Sequence, residues 1–189
     1  MKYIFYYLQN YKEEEKKNID LAKYYHYQVW SPRLFELFPK GNFDSKSGLL
    51  KLKFNKLIFQ WRILYCLIQK HIFNIFIIYR NNNIVHYTMI LSKSIKFTFM
   101  GKDDIQFGPS WTHPNERKKG LMKFALYTYI KMSNKKERRY WWVCKENNNV
   151  SRIAIEKKGF NIYGTGIKKS VLPFNILSKF IIEKINKDQ

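Results

Sequence analysis

From Thr112 to Phe160 the apolar runs and polar breaks spell an order of elements: strand, helix, strand, helix, strand. The first connection reads Trp111-Thr112-His113-Pro114-Asn115-Glu116-Arg117-Lys118-Lys119-Gly120-Leu121-Met122, which is a strand end, a proline break, a basic turn with one glycine and a helix start. Such a turn suits an anion. The first amides of a helix have no intrahelical partner and lie at the positive end of its dipole. Gly120 lets backbone come close to a ligand, and Arg117, Lys118 and Lys119 add cations at the same rim. An Arg-x-x-Gly tetrapeptide alone is common by chance, so it gains weight only from the elements that come after it in the chain.

After Gly120, Leu121, Ala125, Tyr129 and Met132 recur at helical spacing and Met122, Leu126 and Ile130 widen the stripe, which predicts a helix to about Ser133. Asn134 to Arg139 is a polar turn, and Tyr140-Trp141-Trp142-Val143-Cys144 reads as a buried strand. Asn148 is a good N-cap and Gly159 a good residue just past a helix end, predicting a second helix over Asn149 to Lys158.

With these pieces in order, the chain resembles the GNAT superfamily of acyl-CoA N-acyltransferases. Their phosphate-gripping turn is Arg/Gln-x-x-Gly-x-Gly/Ala, similar to Arg117-Lys118-Lys119-Gly120-Leu121-Met122 here. Their later helix commonly carries Asn-x-x-Ala/Ser and then Tyr-x-Lys-x-Gly-Phe, similar to Asn148-Asn149-Val150-Ser151 and Ile155-Glu156-Lys157-Lys158-Gly159-Phe160. The resemblance covers about the C-terminal half. It implies an α/β (α+β) fold with a mixed, mostly antiparallel central sheet flanked by helices and splayed at the acyl-CoA-binding strands. Two residues depart from the pattern: Met122 replaces a small residue, and Ile155 stands where many members have a tyrosine that protonates the leaving thiolate.

With 189 residues, no internal repeat and no linker, the chain suits one domain spanning residues 1–189. An apolar share of 46% with 18% aromatics argues against disorder. The net charge of +21 invites a nucleic-acid reading. Most of the basic residues are Lys spread from end to end, however, and no nucleic-acid-binding motif accompanies them. An anionic substrate is equally well served. Cys66 and Cys144 sit apart in apolar runs and read as buried thiols, and His26, His71, His86 and His113 form no pair at ligand spacing, so no metal is expected. No signal peptide is evident, and the longest apolar tract, Leu57 to Tyr79, is broken by polar residues, so a cytoplasmic protein without a transmembrane segment is expected.

In the N-terminal half, Lys2 to Leu8 reads as a strand, Lys12 to Tyr25 as a helical stretch and Leu34 to Phe38 as a short helical piece. Gly41 to Gly48 reads as a loop, and Phe54 to Gln69 fits helix and strand equally. Phe73 to Tyr79 and Ile84 to Leu91 flank Asn81-Asn82-Asn83 as a hairpin. Asp104 to Trp111 is a strand that Gly108-Pro109 interrupts. In the resembled family the corresponding strand splays and the acyl-pantetheine arm lies in the gap.

The resemblance implies transfer of an acetyl group from acetyl-CoA, as co-substrate, to an amine. Ser110, Trp111 and Thr112 would supply backbone amides to the thioester, Arg117 to Met122 the phosphate turn, and Asn148 and Ser151 further cofactor contacts. The reaction needs a neutral amine and a proton for the thiolate. Asp104, His86 and Glu146 are candidate bases, beside a water relay; Tyr163 and Ser151 are candidate acids. Each has an ordinary structural alternative. Trp30, Arg33, Trp61 and Arg62 offer a ring-and-phosphate pocket, which suggests a nucleotide-linked amino sugar as acceptor, although Trp30 and Trp61 equally suit a core. The alternatives are a protein or peptide N-acetyltransferase, a non-enzymatic basic nucleic-acid-binding domain, and a degenerate acyltransferase that binds CoA without turnover. In the tail, Phe174, Leu177, Phe180, Ile181 and Ile185 fall near one helical face, fit for a core, a partner subunit in an oligomer or a membrane surface.

Overall fold

A computed structural model describes residues 1–9, 19–33, 72–133, 137–171 and 178–185. The Asn81-Asn82 pair has φ of 49° and 61°, the two left-handed residues that a two-residue hairpin requires. It joins β3 (Phe73–Arg80) to β4 (Asn83–Ser92). The other strands are β1 (Lys2–Leu8), β2 (His26–Trp30), β5 (Ile105–Thr112), β6 (Tyr140–Lys145), β7 (Asn161–Ser170) and β8 (Ser178–Ile185). The helices are α1 (Ile19–Tyr24), α2 (Leu121–Ser133) and α3 (Asn149–Glu156), with 3-10 turns at Ile95–Phe97 and Pro114–Glu116.

The eight strands are hydrogen-bonded in the order β2-β3-β4-β5-β6-β1-β7-β8. The fold is α+β with a mostly antiparallel sheet: β2 on β3, β1 on β6 and β7, and β7 on β8 are antiparallel. β5 and β6 are parallel, pairing Ile105 with Tyr140, Gln106 with Trp141 and Phe107 with Trp142.

Contacts divide the chain into two compact units, each assembled from separated segments. The first comprises Met1–Tyr11, Leu91–Gly108 and Lys135–Gln189. Its core gathers Phe5, Phe97, Met100, Trp141 and Phe180, with Phe97 stacked on Phe180 at 5.7 Å between ring centres. The second comprises Lys12–Ile90 and Pro109–Asn134. Here β3 is buried on both faces from Ile75 to Ile78, and Phe76 meets Tyr27 and Phe124 of α2. Helix α2 turns Leu121, Phe124, Ala125, Leu126, Tyr127, Tyr129 and Ile130 inward. Met132, expected on that stripe, is 57% exposed in the last turn, where the apolar face has rotated past it.

The tail differs from the helical face expected of it. It forms strand β8, pairing along β7 from Gly164 opposite Ile185 to Ser170 opposite Ser178. Its residues Ser178 and Phe180 alternate inward at the strand period, while Ile185 is exposed. A Cβ on Gly166 would collide with the Ile181 carbonyl, so the bare backbone of β7 is what lets β8 lie against it. His26–Trp30, to which the sequence assigned no element, is a strand paired with β3. Of the helical stretch expected over Lys12 to Tyr25, Ile19–Tyr24 is helical; its first part, Leu34 to Phe38, Gly41 to Gly48, Phe54 to Gln69, Trp61, Arg62, Cys66, His71, Phe174 and Leu177 lie outside the described residues.

Candidate functional site

The basic turn lies in the second unit, and its local chemistry follows from the end of β5. After Thr112, the His113 amide donates to the Val85 carbonyl of β4 at 2.8 Å, which fixes where the strand stops. Pro114 then starts a single 3-10 turn, closed from the Glu116 amide to the His113 carbonyl at 2.9 Å. The chain escapes from this turn through two left-handed residues, Lys118 at φ 64° and Gly120 at φ 82°. The nearest atom to a Cβ on Gly120 would be Leu21 Cδ1 at 3.9 Å, so backbone conformation rather than space selects glycine there. The first bond of α2 runs from the Phe124 amide to the Gly120 carbonyl at 2.9 Å, which leaves the Leu121 and Met122 amides without a carbonyl of their own helix. Leu121 anchors that start by its buried side chain, and Met122 is half-buried.

The cations of this turn are divided in a way the sequence did not suggest. Glu116 is only 6% exposed and accepts from Tyr25 Oη at 2.6 Å, Arg80 Nη1 at 2.7 Å and Lys119 Nζ at 2.8 Å. Burial alone would raise its carboxyl, but hydrogen bonds from Lys119, Tyr25 and Arg80 outweigh that and hold it down at about 2. Burial and the bond to this carboxylate push the Tyr25 phenol up to about 12. Lys119 is therefore tied down beside the turn. Arg117 points back along the strand, its Nε donating to the Thr112 carbonyl at 3.4 Å. Lys118 is exposed. Sequence reasoning missed Glu116, Tyr25 and Arg80; a lone carboxylate inside a basic run was the available signal.

Behind the turn, β4 and the end of β5 carry a hydrogen-bonded chain. His86 Nδ1 meets Thr112 Oγ1 at 2.8 Å, its Nε2 meets Thr88 Oγ1 at 2.9 Å, and Thr88 Oγ1 meets Ser110 Oγ at 2.8 Å. His86 is fully buried, and burial drives its imidazole down to about 3, so it is neutral at pH 7. Trp111 points the other way, stacked on Tyr87 with centres 6.1 Å apart and edge-on to His113. Within β5, Ser110 to Thr112 follow Gly108, which has φ 100°, and Pro109, which has no amide hydrogen.

The remaining candidates belong to the first unit. Asp104 is buried and accepts at Oδ2 from the Gly101 amide at 2.7 Å and Trp141 Nε1 at 2.7 Å, with Arg139 at 3.4 Å. That carboxylate holds the loop before β5. Glu146 is exposed, and its backbone ties the end of β6 to Lys2 and Arg152. Asn148 caps α3, its side chain accepting from the Ser151 amide at 3.2 Å. Tyr163 is half-buried, its ring edge-on to Trp141 at 5.0 Å and to Tyr7 at 5.9 Å. Ile155 is fully buried in α3. Thus the fold brings His86, Ser110 and Thr112 together and makes one turn of Arg117 to Met122, while Asp104, Glu146, Asn148, Ser151 and Tyr163 sit in separate local settings.

Of the residues expected to line an acceptor pocket, Trp30 is buried, its Nε1 without a hydrogen-bond partner among the described residues, and Arg33 is exposed. Cys144 is buried and its thiol is raised to about 11, chiefly by burial, which makes it a poor nucleophile at neutral pH. Among the described residues there is no group of three or more His, Cys, Asp or Glu placed to hold a metal ion. Nor is any described helix long and apolar enough to cross a membrane.

No family model and no curated protein matches the chain. Among solved structures, it is similar to the crystal structure of a functionally unknown conserved protein from Staphylococcus epidermidis ATCC 12228, with a TM-score of 0.50 and 12% identity over 87% of this chain. The chain spans 58% of the length of that protein. At that identity the likeness concerns fold alone.

Proposed function

We propose that the protein is a GNAT-like N-acyltransferase that moves an acetyl group from acetyl-CoA to the amine of a small molecule. The observation that carries this reading is the turn ahead of α2. Left-handed Lys118 and Gly120 deliver the chain into a 13-residue helix whose Leu121 and Met122 amides have no intrahelical partner. Successive amides exposed by such a turn form an anion-binding concavity. Arg117 and Lys118 flank it, while the carboxylate among them is already neutralised by Arg80 and Lys119.

The turn also follows directly from the strand where a thioester carbonyl would need a donor. Ser110 to Thr112 come after a left-handed glycine and a proline, the local chemistry that frees backbone from a regular ladder. A backbone amide there would polarise the carbonyl without any catalytic side chain. The amine attacks the thioester carbon, the carbon–sulfur bond breaks, and the ammonium proton is lost as the thiolate gains one. Ile155 cannot supply that last proton. The net charge of +21 favours an anionic acceptor, and a nucleotide-linked amino sugar has the required amine and phosphates.

Turnover tests the reading. Incubation with acetyl-CoA and a panel of amines, nucleotide-linked amino sugars first and peptides second, is followed by release of free thiol. The expected outcome is amine-dependent thiol release with the small anionic amines. Release with peptides alone would move the reading to a protein N-acetyltransferase, and tight acetyl-CoA binding without release from any amine would identify a CoA-binding domain that has lost its chemistry, consistent with Ile155.

A further inference from the structure

The chain Thr112–His86–Thr88–Ser110 has properties that a merely space-filling core does not need. Ile84 and Ile90, which flank His86 and Thr88 on the same face of β4, are buried and apolar, so the two polar side chains lie between hydrocarbon neighbours. Burying an imidazole and a hydroxyl there costs free energy unless every polar atom is paired. The pairing observed is continuous, with three links of 2.8, 2.9 and 2.8 Å, and its two interior members are fully or almost fully buried. Both end members, Ser110 and Thr112, are only partly buried. A neutral imidazole donates from one nitrogen and accepts at the other, and each hydroxyl does both, so the chain can run with either polarity.

We infer that these four side chains form a proton relay running through β4 and β5, with its mouths at Ser110 and Thr112, and that it serves the acyl transfer by exchanging the proton shed by the amine for the proton taken by the thiolate. The inference rests on the acyltransferase reading. In one polarity the Ser110 hydroxyl donates to Thr88, Thr88 donates to Nε2, and Nδ1–H donates to Thr112. A proton arriving on the Ser110 oxygen sends the original Ser110 proton to Thr88, the Thr88 proton to Nε2, the Nδ1 proton to Thr112 and the Thr112 proton out. No charge stays in the interior, and the imidazole has changed tautomer. Transfer in the opposite direction runs through the same bonds. Once products leave, water at the two mouths returns a proton the other way and restores the first tautomer.

A relay of this kind accounts for a histidine that burial keeps neutral, because the imidazole passes a proton without resting as an imidazolium. Thr88 is its weakest point to interrupt. Thr88→Val preserves shape and removes the one hydroxyl that joins the two halves, whereas Thr88→Ser keeps it.

The full-length protein with its His nitrogens labelled with 15N tests the relay without any substrate. Both neutral tautomers of His86 are expected at pH 7, as exchange-averaged or paired resonances, collapsing to one tautomer in Thr88→Val. In turnover with acetyl-CoA and the best amine of the panel, Thr88→Val is expected to lose tenfold or more in kcat, with Thr88→Ser recovering most of it. Its acetyl-CoA Kd should stay within about threefold of wild type, and the dependence of rate on deuterium fraction, expected to be curved in the wild type, should become linear. One locked tautomer in the wild type, or a folded Thr88→Val enzyme with unchanged kcat and unchanged deuterium dependence, would overturn the relay and leave the acyltransferase reading in place. Wild-type protein that binds no acetyl-CoA would overturn both, whatever the tautomers do.

Discussion

Glu116 sits one residue ahead of Arg117 and draws Lys119, Arg80 and the Tyr25 hydroxyl onto a buried carboxylate, so part of the turn's positive charge is taken up in holding the turn. Arg80 and Lys119 are about half exposed, and solvent screens what they contribute. The Tyr25 bond, buried and 2.6 Å long, is the firmer part. Tyr25→Phe is expected to cost about 1.5–3 kcal/mol in urea unfolding, since it removes a hydrogen bond to a charged group. The carboxyl lies below its ordinary value in the folded state, so its contribution is complete above about pH 4.5 and is lost as pH falls towards 2. His86 acts over a higher window. Burial depresses its folded value from 6.5 to about 3, so below pH 6.5 the unfolded chain takes a proton that the folded one refuses. Stability should therefore fall with pH between about 6.5 and 3. His86→Asn should flatten that slope by up to about 1.4 kcal/mol per pH unit in unfolding titrations.

Among the elements, those punctuated locally were legible in the sequence. The Asn81-Asn82 hairpin, the start of α2 after Gly120 and the Asn148 cap of α3 all depend on residues within a few positions of each other. What depends on distant partners was not legible. Phe180 and Ile185 fit a helical stripe as well as a strand, and β7 decides between them by presenting glycine where β8 must pack. The Glu116 cluster was hidden for the same reason, because Tyr25 lies 91 residues away along the chain and Arg80 36. His86 was legible as a strand histidine, and the strand period puts Thr88 on its face, but the links to Thr112 and Ser110 were not legible, because they join β4 to β5 across more than 20 residues of chain. Gly166→Ala tests the β8 explanation. The added methyl meets the Ile181 carbonyl, and a loss of about 1–3 kcal/mol is expected, with hydrogen exchange of the Ser178–Ile185 amides accelerating more than that of β1. Equal protection of β8 in the variant would show that the glycine is not what admits the strand.

At the scale of the whole molecule, a charge of +21 separates the two broad readings by how binding responds to salt. A phosphate-backbone binder loses affinity steeply and linearly on a log–log plot as salt rises. A site that holds one diphosphate through amides and two or three cations should weaken only a few-fold over the same range. The most direct measurement is a calorimetric titration of acetyl-CoA at two salt concentrations into wild type, Gly120→Ala and Gly120→Glu. Gly120→Ala strains the left-handed backbone at a cost of about 1–2 kcal/mol of stability but adds little bulk; Gly120→Glu adds bulk and negative charge at the turn. The account predicts micromolar binding by wild type at both salts, weakened binding by the alanine variant and none by the glutamate variant. No binding by wild type at either salt, or equal binding by all three folded proteins, would contradict it.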